Sequence, residues 1–185
     1  INIYEDKKKN SKLSSQILYG EKFSILKEYR NWYKIKTDYD KYVGFIKRKN
    51  FTKFAHKPTH KISCLKANVF SKPFTSSQIK MKLSFASMLY VKSRKNEFLN
   101  FDNYWIHKSD VVPLNYKEKI FQRIKIFKNV KYKWGGKKFD GVDCSGLIQL
   151  FYKFNNLYCP RDTGPQFKYF KKLRSIKKNS IIFWK

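Results

Sequence analysis

Asp143, Cys144, Ser145 and Gly146 stand together where a polar loop gives way to a helical pattern, and a cysteine in that place is a candidate nucleophile. Asp143 suits the N-cap, which puts Cys144 in the first helical turn. A helix N-terminus favours negative charge, and so the thiolate, the reactive form of cysteine. The Asp143 carboxylate opposes this by like-charge repulsion. The balance stays open at this level. A small packed thiol that happens to begin a helix is the plainer reading of the same residue. Nucleophilic chemistry also needs a base. The three histidines, His56, His60 and His107, all precede Cys144, two in a polar linker and one after an aromatic run. Cys64 and Cys159 read as packed thiols. Three cysteines without metal spacing indicate neither a disulfide framework nor a zinc site.

The elements around Cys144 follow from periodicity. Leu147, Leu150, Phe151 and Phe154 continue a helical face from Asp143, and Ile120, Ile124 and Phe127 mark another over 116–129. Thr163–Gln166 reads as a capping box with Pro165 near the first turn, Gln166 serving only that cap, and Ser180–Trp184 as a strand. Upstream, Ile17–Tyr19, Phe23–Leu26, Trp32–Lys36 and Tyr42–Ile46 read as short strands, which suggests a small β-barrel. After a linker at 56–61 the same rhythm returns to Leu114, a weak tandem repeat.

The formal net charge is +29, which raises a polyanion partner. All but six of the 42 basic residues are lysines, spread along the whole chain together with abundant Asn, Ile, Phe and Tyr. A nucleic-acid site clusters its charge and uses Arg, so compositional bias is the preferred reading and no nucleic-acid partner is expected. No apolar run reaches the length of a membrane span.

Tyr132, Trp134-Gly135-Gly136, Gly141, Asp143 through Gly146 and Leu147 resemble the central motif of the NlpC/P60 family of cysteine peptidases. Pro160-Arg161-Asp162-Thr163 and Gln166 match its next block, and residues 18–46 resemble the bacterial SH3 domain of the dipeptidyl-peptidase VI-like subgroup. The resemblance implies an α+β chain: SH3-like β-barrels at 1–55 and 60–114, then the incomplete papain-like domain at 115–185. It implies hydrolysis of the γ-D-glutamyl–diamino acid bond of murein peptides with a free N-terminal L-Ala, without metal or cofactor, by a monomer.

Cys144 would be the nucleophile, with its own N–H and the Tyr132 hydroxyl stabilising the oxyanion. Asp143, Ser145, Arg161, Asp162 and Thr163 match positions that hold the dipeptide and its amine, and Glu21 and Tyr42 would close that pocket. The base is the departure. The family's histidine follows the strand that Asn179–Trp184 would form, and none of the three histidines matches it. The chain therefore reads as a fragment without its base, with helices 116–129 and 143–155 loosely packed and partly exposed. A non-catalytic cell-wall peptide-binding protein is the alternative, and the compartment, cytoplasm or cell envelope, is left open.

Overall fold

The computed structural model describes residues 1–49, 51 and 56–184; the expected domain boundary at residue 55 lies outside them. Strands β1 (Asn2–Tyr4), β2 (Leu13–Gln16), β3 (Phe23–Glu28), β4 (Trp32–Thr37) and β5 (Val43–Lys47) form one antiparallel sheet in the order β2-β1-β5-β4-β3. Alternating apolar positions cause it: Ile3, Ile35 and Ile46 point inward and pack with Ile17 as the core. β2 ends at Gln16, so Ile17–Tyr19 leaves the sheet instead of forming a strand. Ile17 and Leu18 remain buried.

The second unit contains β6 (His60–Ile62), β7 (Lys66–Phe70), β8 (Ile79–Ser84), β9 (Met88–Leu89), β10 (Ser93–Lys95), β11 (Phe98–Phe101), β12 (Tyr104–His107) and β13 (Val111–Pro113). These strands divide between a sheet of order β10-β11-β12-β7-β8 and one of order β13-β6-β9. The expected repetition is therefore partial, since the first unit uses a single sheet. Ile62, Val69, Leu89, Phe101 and Ile106 close a common core between the two sheets.

The third unit has a hairpin, β14 (Lys137–Lys138) and β15 (Gly141–Val142), then α1 (Cys144–Phe154) and α2 (Thr163–Tyr169). The expected looseness does not hold for α1. Leu150, Phe151 and Phe154 are at most 1% exposed and pack on Phe85, Ala86, Phe127 and Leu18. Phe85 stacks on Phe154 at 4.6 Å and meets Phe151 at 5.3 Å. Burial of each such side chain contributes about 1.5–3 kcal/mol. Lys61 of β6 is buried beneath the helix, and its ammonium donates to the carbonyls of Phe154 and Tyr116. A cation on the last carbonyls of a helix complements its dipole. Burial lowers the pKa of this lysine to about 8. The second unit thus supplies the surface that α1 needs.

Three expected elements are corrected. Residues 116–129 form turns and one short 3-10 segment, Ile124–Phe127, and no α-helix. Phe121 sits at φ 67°, which interrupts a helix, and the Glu118 N–H bonds Asn155 Oδ1 at 2.8 Å. The Thr163–Gln166 capping box does not form. The N-cap is Asp162, without a side-chain bond, and Gln166 points inward. Residues 180–184 form no strand; Phe183 packs on Phe167 at 5.6 Å. No helix is long and apolar enough to cross a membrane among the described residues.

Candidate active site

Asp143 has extended backbone (φ −95°, ψ 172°), and its carboxylate accepts from the Gly146 N–H at 2.6 Å, as an N-cap should. The same carboxylate accepts from the Gly135 N–H at 2.9 Å, which ties the loop before the hairpin to the start of α1. Gly135 is at φ 69°, and a side chain there would meet the Leu13 carbonyl oxygen at 2.8 Å. Arg161 completes the arrangement. Its Nη1 donates to Asp143 Oδ1 at 3.0 Å and Nη2 to Oδ2 at 2.7 Å, a bidentate pair. Nη1 also reaches Ser145 Oγ at 3.0 Å, and Nε donates to Ser15 Oγ of β2 at 3.0 Å.

Asp143, Ser145 and Arg161 are all buried, and they are one another's partners. Their geometry is that of a brace for the head of α1. It leaves Cys144 exposed at the first position of the helix. Thr163 Oγ1 lies 3.8 Å from the Cys144 sulfur, so the start of α2 borders the thiol. Tyr132 pairs with Val142 in an isolated bridge and is 66% exposed. Its pKa is raised, first by desolvation and then by Cys144 and Asp143.

Asp162 is exposed on the same side. Its carboxyl is pushed up by desolvation, against Arg161, with Asp143 and Asp40 adding. Tyr42 is half-buried and its pKa is raised, chiefly by burial; Ser14, Asp162, Arg161 and Asp40 also act on it. Thr163 thus borders Cys144, Tyr132 lies near enough to feel Cys144 and Asp143, and Tyr42 lies near enough to feel Asp162.

Glu21 is not among them. It is buried, accepting from the Leu18 N–H at 2.6 Å and from Lys153 at 2.5 Å, with Lys137 at 3.5 Å. Burial pushes its carboxyl up, but Lys137 and Lys153 outweigh this and hold it at about 2. As placed, Glu21 joins the first unit to β14 and α1.

Three residues with a part here, Asp40, Lys137 and Lys153, escaped the sequence reading, and Gln166 was read only as a cap. Asp40 accepts from Gln149 Nε2 at 2.8 Å and from the Tyr42 N–H at 3.3 Å, bringing a carboxylate close to Tyr42 and Asp162. Gln166 donates to the carbonyls of Ser145 and Pro160, each at 2.9 Å, and so joins α1 to the segment before α2. Lys137 and Lys153, buried lysines in a chain full of exposed ones, carry no distinguishing local signal. Asp40 had one, its place in the turn two residues before Tyr42.

The histidines make their contacts elsewhere. His56 stacks on Tyr90 at 4.3 Å, His60 Nδ1 is 2.9 Å from Thr59 Oγ1, and His107 Nδ1 is 2.7 Å from Ser109 Oγ. Among the described residues no group of three or more His, Cys, Asp or Glu side chains converges as a metal site would.

Comparison with known proteins follows these divisions. Residues 3–51 match the bacterial dipeptidyl-peptidase SH3 domain, and residues 129–185 match the NlpC/P60 family. A γ-D-glutamyl-L-lysine dipeptidyl-peptidase of Bacillus subtilis (strain 168) is 27% identical over 93% of this chain, which spans 64% of that protein. Dipeptidyl-peptidase 6 of Lysinibacillus sphaericus is 26% identical over 87% of the chain and 69% of its own length. The crystal structure of an NlpC/P60 family protein from Bacillus cereus ATCC 10987 superposes with a TM-score of 0.74 at 21% identity, over 94% of this chain and 64% of that one. That likeness establishes the fold: SH3-like strands followed by part of a papain-like domain.

Proposed function

We propose that this chain, an NlpC/P60 segment carried behind a bacterial dipeptidyl-peptidase SH3 domain, holds the nucleophile and the substrate cradle of a cysteine peptidase for murein peptides. The observation that carries the reading is Cys144, exposed at the head of a helix that Asp143 and Arg161 brace from beneath. The relatives' names point to a γ-D-glutamyl bond to a diamino acid. The division follows the same lines: SH3-like units at 1–55 and 60–114, and the peptidase segment at 115–185.

The Cys144 sulfur attacks the γ-D-glutamyl carbonyl, a C–S bond forms and the diamino acid leaves as the amine. Water then releases the acyl group. The Cys144 N–H and the Tyr132 hydroxyl face the developing oxyanion. Asp162, with Tyr42 beside it and Asp40 behind, offers negative charge to the free L-Ala ammonium. Thr163 borders the thiol. The brace residues act through position. Proton transfer requires a histidine other than His56, His60 and His107, whose contacts lie elsewhere.

A chloromethyl ketone built on L-Ala-γ-D-Glu tests this without needing the base. It should alkylate Cys144 at least about tenfold faster than its Nα-acetyl form, since the acetyl group removes the ammonium at a cost of about 1.4 kcal/mol or more. Equal rates would overturn the free-amine reading. The same separation of the histidines from Cys144 favours a second reading, a murein-peptide-binding protein without turnover. Cys144-dependent release of the diamino acid from L-Ala-γ-D-Glu-L-Lys would exclude it.

A further inference from the structure

A cleft of about 1450 Å³ opens between the first and second units, lined by neither Cys144, Tyr132 nor Thr163. It is larger than the roughly 300–1,000 Å³ of a small-molecule pocket, so it suits an oligomeric ligand. Lys22, Lys49, Lys82, Lys92 and Lys138 line it. Among the described residues none of the five forms an ion pair. Most of the cleft's carboxylates already have partners. Glu21 is held by Lys153 and Lys137, Asp140 by Lys133 at 2.9 Å, and Asp102 accepts from the Tyr19 hydroxyl. The Tyr19 hydroxyl leaves the charge of Asp102 in place, so Asp38 and Asp102 stand against the five lysines and the cleft carries a net positive charge. Desolvation lowers the pKa of Lys138, opposed by Asp140 and aided by Lys133 and Lys49.

The wall between the lysines is aromatic. Tyr33, Tyr90 and Phe139 are each half-buried there, and the stack with His56 fixes the Tyr90 ring. Flat rings interleaved with cations suit either sugar rings bearing acidic groups or the bases of a nucleic acid. Two features decide between them. Among the described residues no arginine lines the cleft, and two carboxylates that no ion pair holds, Asp38 and Asp102, are set among the lysines. Carboxylates accept hydrogen bonds from sugar hydroxyls but repel a continuous phosphate backbone. We propose that this cleft binds an acidic glycan, a run of hydroxyl-rich sugar rings carrying carboxylates, at a site separate from Cys144.

The test uses the whole chain and a fluorescein-labelled oligogalacturonate, read by anisotropy, with binding that weakens as salt rises. Lys82→Gln with Lys92→Gln should weaken binding about tenfold, equivalent to about 1.4 kcal/mol. Tyr90→Ala should weaken it severalfold at unchanged charge. The control pair Lys171→Gln with Lys172→Gln, exposed and outside the cleft, should change it by less than about twofold, a surface charge change of a few tenths of a kcal/mol. A neutral dextran of equal length should not compete. Equal loss in the control pair, no loss in Tyr90→Ala, competition by dextran, or tighter binding of single-stranded DNA at the same salt would each overturn the proposal. Cys144 takes no part in this readout, so its outcome is independent of the peptidase reading.

Discussion

Arg161→Met separates a brace from a substrate-binding group. The Arg161 side chain is 2% exposed and that of Asp143 10%, joined at 2.7 Å. Removing the guanidinium leaves the carboxylate with three donors, the N–H groups of Gly135 and Gly146 and the Ser145 hydroxyl, but no countercharge. Breaking a buried pair in this way costs about 3–5 kcal/mol. The surviving donors place the expected loss near the lower figure, still a large part of the roughly 5–15 kcal/mol that holds a domain together. The urea midpoint should fall by that loss divided by m, with m unchanged. Asp143→Asn should also destabilise, because Arg161 keeps its charge. The double variant removes both charges and should recover at least about 2 kcal/mol relative to the sum of the single changes. Alkylation of Cys144 by iodoacetamide, followed in parallel, reports whether the helix head stays in place. A loss below about 1 kcal/mol for Arg161→Met, or additive costs in the double variant, would refute the brace. Asp143 and Arg161 would then be available to the dipeptide, as the sequence resemblance implies.

Stability should fall as pH drops from about 4.5 towards 2, because Glu21 has a folded-state pKa of about 2 against an ordinary 4.5 and loses its stabilisation as it protonates. Urea midpoints between pH 3 and 7 check this, and Glu21→Gln should be less stable than the parent at pH 7 and lack that slope. At pH 7.5 Ellman's reagent should find one fast thiol in the folded chain, Cys144, since burial pushes both Cys64 and Cys159 up to about 12; Cys144→Ala should abolish the fast phase. Phe85→Ala should cost about 3–5 kcal/mol and loosen α1, since its ring meets Phe127, Phe151 and Phe154; a calorimetric midpoint unchanged from the parent would contradict the docking of α1 on the second unit.

Much of the strand pattern was legible because alternation is local: Ile35 and Ile46 declare their inward face from immediate neighbours alone. The start of α1 was legible for a similar reason, since an N-cap bond spans only Asp143 to Gly146. The failures at 116–129 and 180–184 are of another kind. Their periodicity promised a helix and a strand, but Glu118 takes its partner from Asn155, and a strand needs a neighbouring edge that the sequence around Ser180 does not specify. Glu21 shows the same limit. Its two lysines lie 116 and 132 residues away, and the chain supplies 36 lysines among which no local rule selects Lys137 and Lys153.

The long-range contacts explain why the first two units are part of the site's structure. Ser15 holds the Arg161 guanidinium, Gln16 accepts from the Lys137 N–H at 2.8 Å, Glu21 sits between Lys137 and Lys153, and Asp40 takes Gln149. All four come from the first 40 residues and end on β14, α1 or the segment before α2. Phe85 and Lys61 of the second unit meet the other side and the C-terminal end of the same helix. A thiol at the head of α1 is therefore positioned by polar contacts from the first unit and by apolar burial on the second. Polar contacts fix direction, because a hydrogen bond weakens steeply with misalignment. Apolar burial supplies most of the free energy, because it scales with area and has little angular preference. Changes in the first unit should accordingly alter the geometry around Cys144 at modest cost in stability, and changes in the second should lower stability before they alter that geometry.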